Sequence, residues 1–422
     1  MKYGKSAFFV LCTGIMISGI ACSNPAADPD LNPDLNPDTG EQNNPTPIEV
    51  VEEFRAALDA LGAGEEYVLD RNLNLSAIEW EPIGTDENNA FQGIFNGNGH
   101  TIKGLNPADR RYTGLFGYTD GATIKDLTID MQDFSVTNSN ISNIGAVVGF
   151  AKNTLIENVH VSGKISVNKT ALGDLGAGGI AGWTLGTTRI VNSSSRISIE
   201  AIHTNGSSQI GGIAGGNRGS IENCYAAGVH KGQQTTIGGI AGDNGFGGRI
   251  ENCYAAGSIS GTNNSMAGGI TGWNSSFSST SFGFIQNCYS TVSVKVAAEV
   301  GLEVYVGGIA GRNNPNAIIK NCVAINDSLE ASFSSLYLGR ITGQNWNSTG
   351  LDNNIALQNL PITVSNGPNS TPGTVGLNTE YGADKTALEL QSRSAYDNLG
   401  WNFTAVWKMD PKKSPYPVLR WQ

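Results

Sequence analysis

The sequence predicts an all-β chain: a right-handed parallel β-helix, a solenoid with three short strands per coil and short helical caps at its N- and C-terminal ends. Three observations predict it. First, Gly-Gly-Ile-Ala-Gly recurs at 178–182, 211–215, 238–242 and 307–311, with variants at 268–272 and 339–343 and looser copies at 145–149 and 114–117. Successive copies start 27 to 39 residues apart, a period that belongs to stacked repeats. Second, an Ile-x-Asn-Cys block lies between them, at Ile221–Tyr225, Ile250–Tyr254, Ile285–Tyr289 and Ile319–Val323. Third, glycine is 55 of 422 residues while charged residues are only 15%, against about 25% in ordinary domains. That balance suits many short strands joined by tight turns.

The elements follow in chain order. Met1–Lys5 is basic and Ala7–Ile20 apolar, the length of a secretion-signal core and short for a membrane span. Ser18-Gly19-Ile20-Ala21-Cys22 resembles the lipobox of bacterial lipoproteins. That resemblance implies a signal peptide over 1–21 and a diacylglycerol on Cys22, hence a membrane partner through the N-terminal lipid. Residues 22–46 repeat Asp-Leu-Asn-Pro with no apolar period and read as a disordered, extended tether. Its aspartates lack the glycine and flanking helices of a calcium loop. Thr46-Pro47-Ile48-Glu49 reads as a capping box, and Val51, Phe54, Leu58 and Leu61 follow at helical spacing. A helix over Pro47–Leu61, within a capping segment 47–66, therefore covers the first unit.

Residues 67–375 form the solenoid. Each repeat has room for three strands: the Gly-Ile-Ala-Gly segment, the Ile-x-Asn segment, and an alternating segment such as Lys164–Val167, Arg196–Ile199 or Val292–Val296. A β-propeller would need four strands per blade. Stacking pairs each strand with its copy about 4.8 Å away. Ile180, Ile213, Ile240, Ile270, Ile309 and Ile341 then form one inward file. Ile156, Ile190, Ile221, Ile250, Ile285 and Ile319 form another. The repeat glycines are expected to supply left-handed backbone at the corners. Asn158, Asn192, Asn223, Asn252, Asn287, Asn321 and Asn354 are expected at a single corner, each amide within reach of the next. Residues 376–422 form a C-terminal cap. In it Asp384 starts a helix running to about Leu399, and Trp401, Phe403, Val406 and Trp407 cover the last coil.

Chemistry is harder to find. The formal charge is 26 − 37 = −11, which disfavours nucleic acid. No motif calls for a cofactor or metal. Cys224, Cys253, Cys288 and Cys322 hold one place in four repeats. Side chains stacked in register lie near 4.8 Å apart, beyond a disulfide's usual Cβ separation, so a small apolar file is expected there in preference to bridges. His100, His160, His203 and His230 fall at unrelated repeat positions, and Glu157, Glu222 and Glu251 read as a solvated row. No catalytic residues are assigned. The suggestive row follows the last glycine of each Gly-Ile-x-Gly: Tyr118, Phe150, Trp183, Gly216, Asp243, Trp273, Arg312, Gln344. Its aromatics, Tyr118, Phe150, Trp183 and Trp273, are the candidate binding residues, suited to stacking on sugars or docking protein if they face outward. The longer inserts near 200–209, 274–284 and 297–305 are the candidate contact loops.

The repeat resembles the GLUG motif family, with Gly114-Leu-Phe-Gly117 the direct match and Gly-Ile-Ala-Gly its variants. Trp80–Gly84, Phe91–Ile102 and Gly400–Phe403 with Trp407 and Tyr416–Leu419 also look like the first and last turns of such proteins. The resemblance implies surface proteins of Bacteroides-type bacteria, often described as adhesins. The motif also accompanies peptidase domains in immunoglobulin-cleaving enzymes, an activity not carried over because no such domain is present. The function expected is a lipid-anchored outer-membrane module at the cell surface that displays a β-helix to a glycan or host protein. The rivals are a polysaccharide lyase or glycosidase, and a structural spacer. The sequence carries no signal for oligomeric state.

Overall fold

The computed structural model describes residues 47–137, 140–263, 265–299, 302–332, 335–346, 349–365 and 373–422. The signal peptide, Cys22, the tether and the capping residue Thr46 lie outside the described residues.

The chain is a parallel β-solenoid. Two sheets have eight strands each and a third, the long sheet, has 23. One coil shows the plan. Ser208–Gly211 lies in the first sheet and Ala214–Asn217 in the second, while Ser220–Glu222 and Tyr225–Gln233 both lie in the long sheet. There are three sheets, but they fall differently from the three strands expected: the Gly-Gly-Ile-Ala-Gly motif holds the turn between the first and second sheets, and the Ile-x-Asn and alternating segments share the long sheet. The long sheet is bent in two at the asparagine corner, so a coil has four strand segments.

The isoleucine files stack as expected. Ile156, Ile190, Ile221, Ile250, Ile285 and Ile319 are in register through successive coils. The Ile213 amide donates to the Ile240 carbonyl and the Ile240 amide to that of Ile270, both at 2.9 Å. All are fully buried. Each isoleucine contributes roughly 1.5–3 kcal/mol by leaving water, a gain realised only once a neighbouring coil covers it.

Two expectations about the corners are corrected. None of the repeat glycines 178, 179, 182, 211, 212 or 215 has positive φ. They are glycine because a Cβ has no room: on Gly211 it would stand 2.0 Å from the Ala214 carbonyl oxygen, and on Gly238 it would stand 1.9 Å from that of Ala241. The left-handed corner belongs to asparagine. Asn158, Asn192, Asn223, Asn252, Asn287 and Asn321 have φ of 50–53°, a region asparagine tolerates. In the last coil the corner residue is Asn353, with φ 54°, and not Asn354. Asn354 instead takes the cysteine's place and accepts from the Cys322 amide at 2.9 Å.

The two ends are closed differently. Helix α1 (Pro47–Asp59) lays Phe54 against Trp80 and Phe95, with ring centroids 5.6 and 6.0 Å apart. At the far end, the expected long helix after Asp384 is replaced. Ala383–Lys385 is a strand on Ile355–Leu357, and Asp384 pairs with Arg340 at 2.7 Å. Two short helices follow, α2 (Ala387–Leu390) and α3 (Arg393–Asp397), and the capping box of α2 is Thr386 with Glu389. Competition for Asp384 explains the difference: buried Arg340 claims its carboxylate. Nor do the aromatic residues cover the last coil. Trp401 and Trp407 pack on Tyr289 and Tyr254, and Trp421 donates to the Asn223 carbonyl at 2.9 Å. Residues 401–422 are thus an arm folded back along the flank of the long sheet. The last coil is closed by the 376–382 turn, where Ile341 donates to the Glu380 carbonyl and Tyr381 to that of Leu338.

Candidate functional site

The row after the Gly-Ile-x-Gly motif is a true row. Tyr118, Phe150, Trp183, Gly216, Asp243, Trp273, Arg312 and Gln344 are paired in register through the second sheet. The glycine before each residue explains its surroundings. A Cβ on Gly182 would stand 2.5 Å from the Ile144 amide, and one on Gly215 would stand 2.5 Å from that of Ala177. The first and second sheets therefore meet at a re-entrant corner, where their outward side chains converge. Tyr112 of the first sheet lies edge-on to Tyr118 at 5.4 Å, and Arg312 of the second lies over Tyr305 of the first at 5.3 Å. The result is a furrow along the solenoid with an aromatic wall.

The four predicted residues occupy it unequally. Tyr118 is buried and stacks on Phe150 with centroids 4.9 Å apart and planes within 6°. Burial holds the Tyr118 hydroxyl above the usual tyrosine pKa. Phe150, Trp183 and Trp273 are half-buried. The Trp183 ring leans across Gly216, where a Cβ would come within 2.4 Å of it. Trp273 is separated from Trp183 by Gly216 and Asp243, so the structure gathers three of the four and sets Trp273 three coils beyond.

Sequence reasoning missed the arginines that join these rings and the residues that expose them. Arg218 lies over Trp183 at 4.9 Å and over Phe246 at 4.2 Å, and its guanidinium pairs with Asp243 at 2.5 Å. Burial raises Asp243 above the ordinary carboxylate range, with Arg218 opposing the rise. Phe246 stacks on Phe277 at 4.9 Å, and Phe277 stands 76% exposed on the hairpin formed by Ser276–Ser278 and Ser281–Phe282, inside the 274–284 insert. Further along, Arg312 lies 3.9 Å over Trp346, which is 56% exposed. Tyr305 stacks on Tyr337 at 4.8 Å. Burial, with donation to Glu303, pushes Tyr305 up to about 12. The signal was present in the repeats. Arg218 and Phe246 fall in the turns just after the second-sheet strand, where an outward row continues.

What the furrow can do is stack. Alternating guanidinium and aromatic planes are held rigid on one side, and apolar faces are offered to solvent. The acidic row is occupied differently. Glu222 pairs with Arg189 at 2.9 Å and Glu251 pairs with Arg249. Burial alone would raise Glu222, but bonds from Arg189 and Ser220 outweigh it and leave it lowered. Such carboxylates are ion-paired along a strand, not poised as an acid and a base. The cysteines form the expected file. All four are buried and free, with the Cys224 amide 3.4 Å from Cys253 Sγ and the Cys253 amide 3.4 Å from Cys288 Sγ. Burial raises the Cys253 and Cys322 thiols well above their ordinary value. Among the described residues no group of three or more His, Cys, Asp or Glu is placed to hold a metal ion, and no helix is long and apolar enough to cross a membrane.

The GLUG motif matches residues 206–230 and 233–260, two successive coils of the solenoid. Halomucin of Haloquadratum walsbyi is 33% identical over 151 residues, which is 32% of this chain and 2% of that protein. A "Putative Gly-rich membrane protein" of Evansella cellulosilytica is 32% identical over 119 residues, 26% of this chain and 14% of that one. The chain therefore spans a small fraction of the length of these relatives. Among solved structures, a "putative immunoglobulin A1 protease" from Bacteroides ovatus aligns over 89% of this chain and 91% of its own, with 19% identity and a TM-score of 0.42. The chain carries GLUG-motif repeats, and they are wound as a parallel β-solenoid.

Proposed function

We propose that the chain is a binding and adhesion module of the cell envelope, anchored by lipid at Cys22, spaced from the outer membrane by residues 23–46, and displaying the solenoid to a glycan or protein at the cell surface. The observation that carries this reading is the furrow wall. Phe246, Phe277 and Trp346 remain in solvent although each is stacked against a partner, at 45%, 76% and 56% exposure. Rigid, solvent-facing rings need little further ordering to bind. A relative named as a membrane protein agrees with an envelope location. The ion-paired state of Glu222 and Glu251 favours binding over hydrolysis.

The test is a screen of the chain against glycans and extracellular-matrix proteins, with turnover of the same polysaccharides followed in parallel. F277A and W346A are expected to weaken binding of the selected ligand about fivefold or more each, with little change in Tm because both side chains face solvent. Ligand binding unaffected by either change would reject the furrow. Release of a product with a defined linkage would reject the binding-only reading. Mass analysis of the Cys22 peptide checks the anchor, and an unmodified peptide refutes it.

A further inference from the structure

A second site lies on another face and does not depend on the furrow. One outward file of the long sheet reads His160, Ser194, Tyr225, Tyr254, Tyr289, one residue per coil. The three tyrosines stack at 4.4 and 4.8 Å. At Ser194 the stack stops, and the next ring, His160, stands two coils from Tyr225, or about 9.6 Å. Trp421 from the C-terminal arm bridges over this interruption. It stacks on His160 at 5.2 Å and donates to the Asn223 carbonyl in the coil of Tyr225. Arm and sheet flank a half-open cleft of about 660 Å³, within the range of small-molecule sites.

Its lining has two chemistries. The walls are aromatic: Tyr225, with Tyr254 and Tyr289 beyond it, on one side, and His160 and Trp421 on the other. Apart from Ala256 and Val418, the rest is hydroxyl, amide and cation, with Ser194 as the floor, and no aspartate or glutamate lines it, in a chain with a formal charge of −11. Lys413 is engaged by the main-chain oxygen of Gln422. Arg196 is exposed. Its guanidinium lies 5.7 Å over the Tyr225 ring with no carboxylate in ion-pair contact among the described residues. A planar cation above an aromatic wall, with hydroxyls around it, suits a saturated ring that stacks one face and carries a planar anion.

We infer that the gap at Ser194 is a binding site for a carboxylated pyranose, a hexuronate unit of an acidic glycan, its ring over Ser194 against Trp421 and its carboxylate on Arg196 where that guanidinium rests on Tyr225. The full chain is titrated with glucuronate and galacturonate oligosaccharides and with their methyl esters, which keep the ring and lose the charge. At least one acid form is expected to bind saturably and quench tryptophan fluorescence, with its ester about tenfold weaker. R196Q is expected to lose about tenfold for the acid and little for the ester. S194Y, which continues the tyrosine stack through the gap, is expected to abolish binding while far-UV circular dichroism and Tm are retained. W183A, in the furrow, leaves this binding unchanged, so failure here and failure of the furrow are read separately. No saturable binding of either acid at millimolar concentration, equal affinity for acid and ester, or full affinity in S194Y each overturns the inference.

Discussion

At the scale of single residues, the solenoid tolerates a misfit in its core. His230 occupies an interior position between Ile199 and Ile259 in register. It is buried, and its Nδ1 has no hydrogen-bond partner. Burial pushes its pKa from 6.5 down to about 4. Between those values the unfolded chain binds the proton and the folded chain refuses it, so stability is full above about pH 6.5 and falls as pH drops toward 4. One group with this shift removes about 2 kcal/mol between pH 7 and pH 5. H230I completes the isoleucine file, so the drop in Tm between pH 7 and pH 5 is expected to shrink by about 2–4 °C. Thermal melts at the two pH values check it. An unchanged drop would mean that His230 takes up its proton as freely folded as unfolded.

At the scale of the strand and its corner, much was legible from one sequence. The isoleucine files follow from period alone, because a residue recurring once per coil must stack on itself. The asparagine corner follows from residue type, and its amides do bond across coils, Asn158 to Asp126 at 2.7 Å and Asn287 to Asn252 at 3.2 Å. The role of the repeat glycines was misread, because glycine serves two physical needs and a sequence does not say which applies. A second buried ladder was also missed. Asn217, Asn244, Asn274 and Asn313 each donate to the next at 2.8–2.9 Å, the last to Asn345, and the sign was their constant place two residues after the motif's last glycine. The furrow row was legible, but its arginines were not, since a stacked guanidinium has no local spacing rule. The two glycine roles separate experimentally. G238A drives a Cβ to 1.9 Å from the Ala241 carbonyl oxygen and 2.6 Å from that of Ile270, both main chain. It is expected to cost about 3 kcal/mol or more, or to prevent folding. G247A, at φ 92° with open space around the Cβ, meets only the left-handed penalty of about 1–2 kcal/mol. Urea unfolding of both variants measures the order, and equal costs would return the repeat glycines to a conformational role.

At the scale of the whole molecule, the contacts are of two kinds with different consequences. Within the rod every coil touches only its neighbours, so the backbone ladder propagates stability along the axis and a local defect is shared with the coils beside it. The arm breaks this rule. It ties residues 401–422 to coils far back in the chain, Tyr254 to Gln422 across 168 positions and Trp421 to Asn223 across 198. Its core is aromatic: Trp407 is fully buried, 4.6 Å from Trp401 and within 6.2 Å of Tyr254 and Tyr289. This cluster is distinct from the isoleucine core inside the rod. Truncating Trp407 costs about 3–5 kcal/mol locally, and the rod supplies its own core, so the expectation is detachment and not global collapse. In W407A, hydrogen exchange should rise across 401–421, while amides of Ile213, Ile240 and Ile270, and those of Tyr254 and Tyr289, which donate within the rod, keep wild-type protection. Because Trp421 is a wall of the cleft at Ser194, the same variant should lose hexuronate binding and retain furrow binding. If protection were lost together in the arm and in the isoleucine files, the arm would be a structural strap on which the rod depends, and the two cores would have to be regarded as one cooperative unit.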